Sequence, residues 1–194
     1  MQLYSLHMKQ ISPAQWALWQ QWLPLSERPD SMDELRLRQR VCAWGLARQK
    51  LAEELSIPPE QVSLSRSPSG APLCPQRFLS LSHSGDLVVC ATADSPIGID
   101  VQQILEPSPR LLKILSPTEQ ADLASLPPEH RPRAFTQLWA LREAWIKCSG
   151  HSLGAVRQVS FRLEEGNVLC FQPGFSCSLP PVDSNYVLAV CQAE

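Results

Sequence analysis

The order of apolar patterns predicts an α+β fold, with helices packed on antiparallel sheets and not arranged as regular βαβ units. Three observations carry this expectation. A long helical pattern comes first, a run of short alternating segments follows at residues 78–101, and a second helix-then-strands succession closes the chain. The two halves share that arrangement without any repeat of the residues themselves. No glycine-rich phosphate loop and no dinucleotide fingerprint interrupts it.

The elements follow in order. Ser12-Pro13 opens a short helix over residues 14–23, with a serine cap and a proline in the first turn. Trp16, Trp19 and Trp22 recur every three residues there and predict a packing stripe. The longest helix is expected over residues 30–55. Leu35, Val41, Cys42, Leu46 and Leu51 form its apolar side, and Arg36, Arg38, Arg40, Arg48 and Lys50 its basic surface. A loop rich in proline and serine spans 57–74. Strands are expected at 78–82, 87–93 and 97–101, turned by Gly85-Asp86 and Asp94-Ser95-Pro96. Two short helices at 107–115 and 117–126, the second opened by Ser116, lead to a longer one at 133–148 that ends at Gly150. Alternation at 156–163, 168–171 and 186–191 reads as a β-meander, with Gly166-Asn167 as a hairpin turn. A boundary near Val101 or Gln102 gives two lobes, residues 1–101 and 102–194.

Composition excludes several functions. Hydrophobic residues make up 44% of the 194, enough to bury a core, and the net charge of −2 creates no field for nucleic acid or an anionic membrane. No apolar run approaches a membrane span, and Met1 to Gln10 lacks the continuous apolar segment of a signal peptide. Seven cysteines, an odd number with no C-x-x-C pair, predict reduced, buried thiols. These features together predict a cytoplasmic protein.

Three segments could carry chemistry. Ser82-His83-Ser84-Gly85 places hydrogen-bond donors at a strand end, suited to an anion and equally to a tight hairpin with a capping histidine. In Gly98-Ile99-Asp100-Val101-Gln102 an acid interrupts an apolar strand. Alternation puts Asp100 and Gln102 on one face, which is either solvated or a site where the charge is paired or metal-bound. In the third, helical spacing aligns Trp139, Glu143 and Lys147, and a Glu143–Lys147 surface pair is the ordinary expectation.

Taken together, the three segments resemble the signature of the Sfp-type 4′-phosphopantetheinyl transferases in order and separation. The family's SHSG element resembles Ser82 to Gly85, its GIDxE element Gly98 to Gln102, and its WxxKExxxK helix Trp139 to Lys147. Its FSxxE segment resembles Leu115-Ser116-Pro117-Thr118-Glu119. The resemblance is close over about residues 70–150.

It implies a monomer of two pseudo-symmetric α+β lobes, with the active site in the cleft between them. It also implies transfer of phosphopantetheine from coenzyme A to a serine of an apo acyl or peptidyl carrier protein. Mg²⁺, or Mn²⁺, would be held by Asp100, Gln102 and Glu143, with one carboxylate from each lobe. Glu119 is implied as general base for the serine, and Glu143 and Lys147 as catalytic groups. Arg40, Ser82, His83, Arg142 and Lys147 are implied as coenzyme A contacts. Three positions depart from the family pattern: Gln102 replaces an acid, Arg142 a lysine, and Ala71 the lysine of a GKP element. The first and last of these raise the alternative of a non-catalytic relative that binds coenzyme A or a carrier protein.

Overall fold

A computed structural model describes residues 1–24, 27–28, 33–164 and 167–194. The chain divides into two units, Met1–Asp94 and Ser95–Glu194.

In the first unit a three-stranded antiparallel sheet has the order β1 (Gln2–His7), β5 (Leu87–Ala93), β4 (Phe78–Ser84). β5 lies at the centre and is buried along its whole length, as its unbroken apolar sequence requires. β1 was not expected: its alternation is short and broken by Ser5, and pairing with β5 recruits it. Two helices, α1 (Pro13–Trp22) and α2 (Glu34–Leu55), cover the sheet, capped by Ser12 and Asp33. Residue 30, the expected helix start, lies outside the described residues. Trp19 is buried, while Trp16 and Trp22 pack against the core from its edge. The Trp19 ring lies where a side chain at Gly45 would have to be, so glycine there lets α1 approach α2. Within the expected loop, β2 (Ser65–Arg66) and β3 (Pro72–Leu73) form a minimal hairpin.

In the second unit the sheet order is β6 (Ile97–Gln103), β10 (Tyr186–Ala193), β9 (Phe175–Ser178), all antiparallel. Between β6 and β10 in the chain come α3 (Pro109–Leu112), α4 (Pro117–Ser125) and α5 (Arg131–Ser149). β7 (Phe161–Glu164) and β8 (Asn167–Cys170) follow them, ahead of β9. α5 packs across β6 and β10 and buries Leu141, Ala144 and Ile146 with Val187 and Ala189.

Two expectations change here. The closing strands are not one meander: β7 and β8 form their own hairpin, and β10 pairs with β6 and with the unanticipated β9. The hairpin turn at Gly166 lies outside the described residues. The division falls after Asp94 and not near residue 101, because β6 takes its hydrogen bonds from β10 and its cover from α5. Asp100 and Glu143 therefore belong to one unit, not to two. Among the described residues no helix is long and apolar enough to cross a membrane.

Candidate active site

β6 brings an acid into the interior. Ile99 and Val101 are fully buried on one face, and alternation turns Asp100 to the other, opposite Ala189 of β10. Asp100 is only 3% exposed, so the solvated-face reading does not apply. A buried carboxylate needs partners. Lys147 Nζ donates to its Oδ1 at 2.7 Å and Gln102 Nε2 to its Oδ2 at 2.7 Å. The same ammonium donates to the Ile99 carbonyl at 2.9 Å.

Gly98 makes this reach possible. A Cβ there would collide with the Ala144 carbonyl oxygen and the Cys148 amide nitrogen, so only glycine lets β6 lie directly under α5. The adjacent small residue Ala144 completes the close approach.

On α5 the residues around the site are buried, whereas Trp139, Glu143 and Lys147 form a half-buried stripe. The expected Glu143–Lys147 surface pair gives way to a bond between Lys147 and Asp100. Glu143 is held above the ordinary glutamate range by burial first and by the charge of Asp100 second, with Lys147 opposing. Glu143 thus lies within the fields of both the Asp100 carboxylate and the Lys147 ammonium. Asp100, Glu143 and the Gln102 carbonyl are hard oxygen donors of the kind a small divalent cation takes. Among the described residues no three Asp, Glu, His or Cys side chains converge on a metal position. With glutamine at 102, the β6–α5 constellation contains only two acids.

Glu119 and Arg142 are joined to each other. Ser116 caps α4 through a reciprocal box: Ser116 Oγ accepts from the Glu119 amide at 3.3 Å, and Glu119 Oε2 accepts from the Ser116 amide at 2.7 Å. Arg142 Nη2 donates to both Glu119 oxygens, at 2.6 Å for Oε1, and the Phe161 amide donates to Oε1 at 3.1 Å. Arg142 also donates to the Leu138 carbonyl and lies over the Phe161 ring. Both side chains are almost wholly buried.

Burial alone would raise the Glu119 carboxyl, but Arg142 and the two backbone donors outweigh it and hold the group below the ordinary range. Such a carboxylate has little affinity for a proton. Glu119, expected as a base, and Arg142, expected as a coenzyme contact, are thus bonded to each other in this structure. Glu119 also lines a cavity of about 630 Å³, together with Leu123, Arg133, Leu138 and Arg162.

The remaining candidates lie in the first unit. Ser82 and His83 are neighbours on β4, so the pleat sends them to opposite faces: Ser82 is buried and His83 exposed. Arg40 contacts buried Glu27, donating to its carbonyl at 3.2 Å and lying 3.5 Å from its carboxylate. Arg66 grips the same carboxylate with two bonds, at 2.5 and 2.8 Å. Arg48 is committed to the Pro59 and Val62 carbonyls, and Arg36 to Asp33.

A model of the 4′-phosphopantetheinyl transferase superfamily matches residues 96–191, a range that takes in Asp100, Gln102, Glu119, Arg142, Glu143 and Lys147. A 4′-phosphopantetheinyl transferase of Bacillus subtilis is 31% identical over 164 residues, covering 77% of this chain and 71% of the relative. The chain belongs to this superfamily. The psf-1 transferase of Bacillus pumilus is 31% identical over 169 residues, with 79% and 70% covered. The HetI transferase of a Nostoc species is 30% identical over 169 residues, with 80% and 71% covered.

Within this superfamily member, sequence reasoning missed three things: the close approach at Gly98, the anchoring of Arg40 by Glu27, and the Glu119–Arg142 bond. Only the last left a local sign, the Ser-x-x-Glu spacing of a capping box at 116–119.

Proposed function

We propose that this chain transfers 4′-phosphopantetheine from coenzyme A to a serine hydroxyl of an apo acyl or peptidyl carrier protein, releasing adenosine 3′,5′-bisphosphate. The observation that carries this reading is the Asp100–Glu143–Lys147 group, a buried acid beside a half-buried acid and lysine, formed within the segment that matches the superfamily model. We take the working unit to be a monomer, as the family resemblance implies.

The fit to a divalent cation rests on Glu143. Its raised carboxyl reflects desolvation and repulsion from Asp100, a site with more negative charge than Lys147 relieves. Asp100, Glu143 and the carbonyl of Gln102 would hold Mg²⁺, or Mn²⁺ in its place. When bound, that ion supplies charge neutralisation at the pyrophosphate. The serine oxygen attacks the phosphorus that bears pantetheine, and the bond to the adenosine-side phosphate oxygen breaks. Glu143, whose carboxyl is raised by burial and by Asp100, is suited to take the serine proton. Lys147, anchored by Asp100 and the Ile99 carbonyl, places a fixed positive charge beside the site. The Glu119–Arg142 pair ties α4 to α5 and orients the helix that carries Glu143.

His83, the exposed member of the SHSG element, is the proposed contact for the coenzyme's 3′-phosphate. His83→Ala is expected to weaken coenzyme A binding severalfold in calorimetry and to leave dephospho-coenzyme A unchanged; equal losses would remove His83 from that role.

Gln102 donates to Asp100 in this structure, a bond an acid could not make at neutral pH. That observation keeps a second reading in play, a relative that binds coenzyme A without transfer. Chromatography of the nucleotide products separates the two: a transferase releases adenosine 3′,5′-bisphosphate only when apo carrier is present, and a binder releases none. Gln102→Glu is expected to lower the Mg²⁺ concentration for half-maximal rate by roughly threefold to tenfold, since a further carboxylate attracts the ion. An unchanged midpoint would place Gln102 away from the metal.

A further inference from the structure

Four of the seven cysteines lie on four different elements of the second unit: Cys148 on α5, Cys170 on β8, Cys177 on β9 and Cys191 on β10. Cys177 and Cys191 are direct register partners on adjacent antiparallel strands, with their sulfurs 2.8 Å apart. Cys170 and Cys148 donate elsewhere, to the Gln172 and Pro96 carbonyls. All are free. Packing alone accounts for Cys42 and Cys90, which are sealed in the first unit and whose thiols burial pushes up, Cys42 to about 12. The Cys177–Cys191 pair is different. Cys177 is only half-buried and its thiol donates to the Cys191 sulfur, so the two sulfurs already face each other.

We propose that Cys177 and Cys191 are a reversible oxidation site, closed by a peroxide to a disulfide that ties edge strand β9 to β10. The Cys177 thiolate attacks one peroxide oxygen; an S–O bond forms, the O–O bond breaks, and the departing hydroxide takes a proton to become water. The Cys191 sulfur then attacks the Cys177 sulfur. The S–S bond forms, the S–O bond breaks, and a second water leaves with the Cys191 proton. Two thiols are oxidised by two electrons and one hydrogen peroxide is reduced to two waters; a dithiol reductant reverses the change. The arrangement does not suit a metal. Two thiolates on one zinc, each at ~2.3 Å, stand about 3.8 Å apart in a tetrahedron, well beyond the spacing of Cys177 and Cys191. Among the described residues no three cysteines converge on a metal position. β10 has β6 as its other neighbour, so the link would brace the sheet that carries Asp100.

The test treats the intact protein with a small excess of hydrogen peroxide, alkylates the remaining thiols, and maps peptides by mass spectrometry. The expected result is loss of two thiols per chain, a peptide linking Cys177 to Cys191, and recovery of both thiols with dithiothreitol. The oxidised protein should melt about 5–10 °C higher, as expected for closing a short loop. Cys177→Ser, at a half-buried position, should retain its thiols under the same treatment. Retention of all thiols by the wild type, a link that maps to another pair, or irreversible sulfinic acid at Cys177 would each overturn the proposal. So would tightly bound zinc that shields the four thiols.

Discussion

Glu143→Gln abolishes transfer yet raises the melting temperature of the metal-free protein at neutral pH. The first effect follows from loss of a charged oxygen at the proposed metal site and of the group suited to take the serine proton. Removal of about 4 kcal/mol of transition-state stabilisation is about a thousandfold in rate. The second follows from the sign of the carboxyl's shift. Glu143 is raised by burial and by Asp100, so its favourable contribution is fully present below the ordinary glutamate value and is lost as pH rises through the higher folded value. At neutral pH the ionised group opposes folding, and glutamine removes that opposition. Thermal melts from pH 4 to pH 8 should show the variant gaining on the wild type as pH rises. Added Mg²⁺ should raise the wild type and leave the variant nearly unmoved. A variant less stable than wild type at every pH would show that Glu143 is a packing residue.

Arg142→Ala has the opposite signature. It leaves the Glu119 carboxylate buried with only the Ser116 and Phe161 amides, and breaking such a pair from one side costs about 3–5 kcal/mol. Glu119 is depressed, so the pair's contribution is present above the ordinary glutamate range and is lost as pH falls through the lower folded value. The wild type should therefore lose stability on acidification, and Arg142→Ala should lose it at neutral pH. Chemical denaturation at pH 7 measures the difference. Arg142→Lys should recover part of the loss, because an ammonium keeps the charge without the fork that meets both carboxylate oxygens. A loss below about 1 kcal/mol in Arg142→Ala, the scale of an exposed pair, would refute the strut role.

The legible parts of this protein were those with local causes. Ser12-Pro13 and Ser116-Pro117 marked helix starts, the apolar runs of β5 and β6 marked buried strands, and Gly150 with its positive φ of 71° marked the end of α5. Asp100 stood out because an acid in an apolar strand must be answered by something. What answers it could not be read, since Lys147 reaches it from 47 positions away and only because Gly98 lets the helix settle on the strand. β1 and β9 escaped notice for the same reason: neither carries a clear apolar alternation of its own, and each exists through its pairing with β5 or β10. The Glu119–Arg142 bond could not be read either, since it joins residues 23 positions apart and only burial makes each the other's partner.

The central claim is that Asp100 of β6 and Glu143 of α5 drive transfer to a carrier serine. The most direct measurement is the intact mass of an apo carrier protein after incubation with coenzyme A, Mg²⁺ and either the wild type or Asp100→Ala. With the variant's fold checked by circular dichroism, the wild type should add one phosphopantetheinyl group to the carrier, none to a carrier whose serine is replaced by alanine, and Asp100→Ala should add none. Full loading by Asp100→Ala, or an unmodified carrier with the wild type across acyl and peptidyl carriers, would contradict the account.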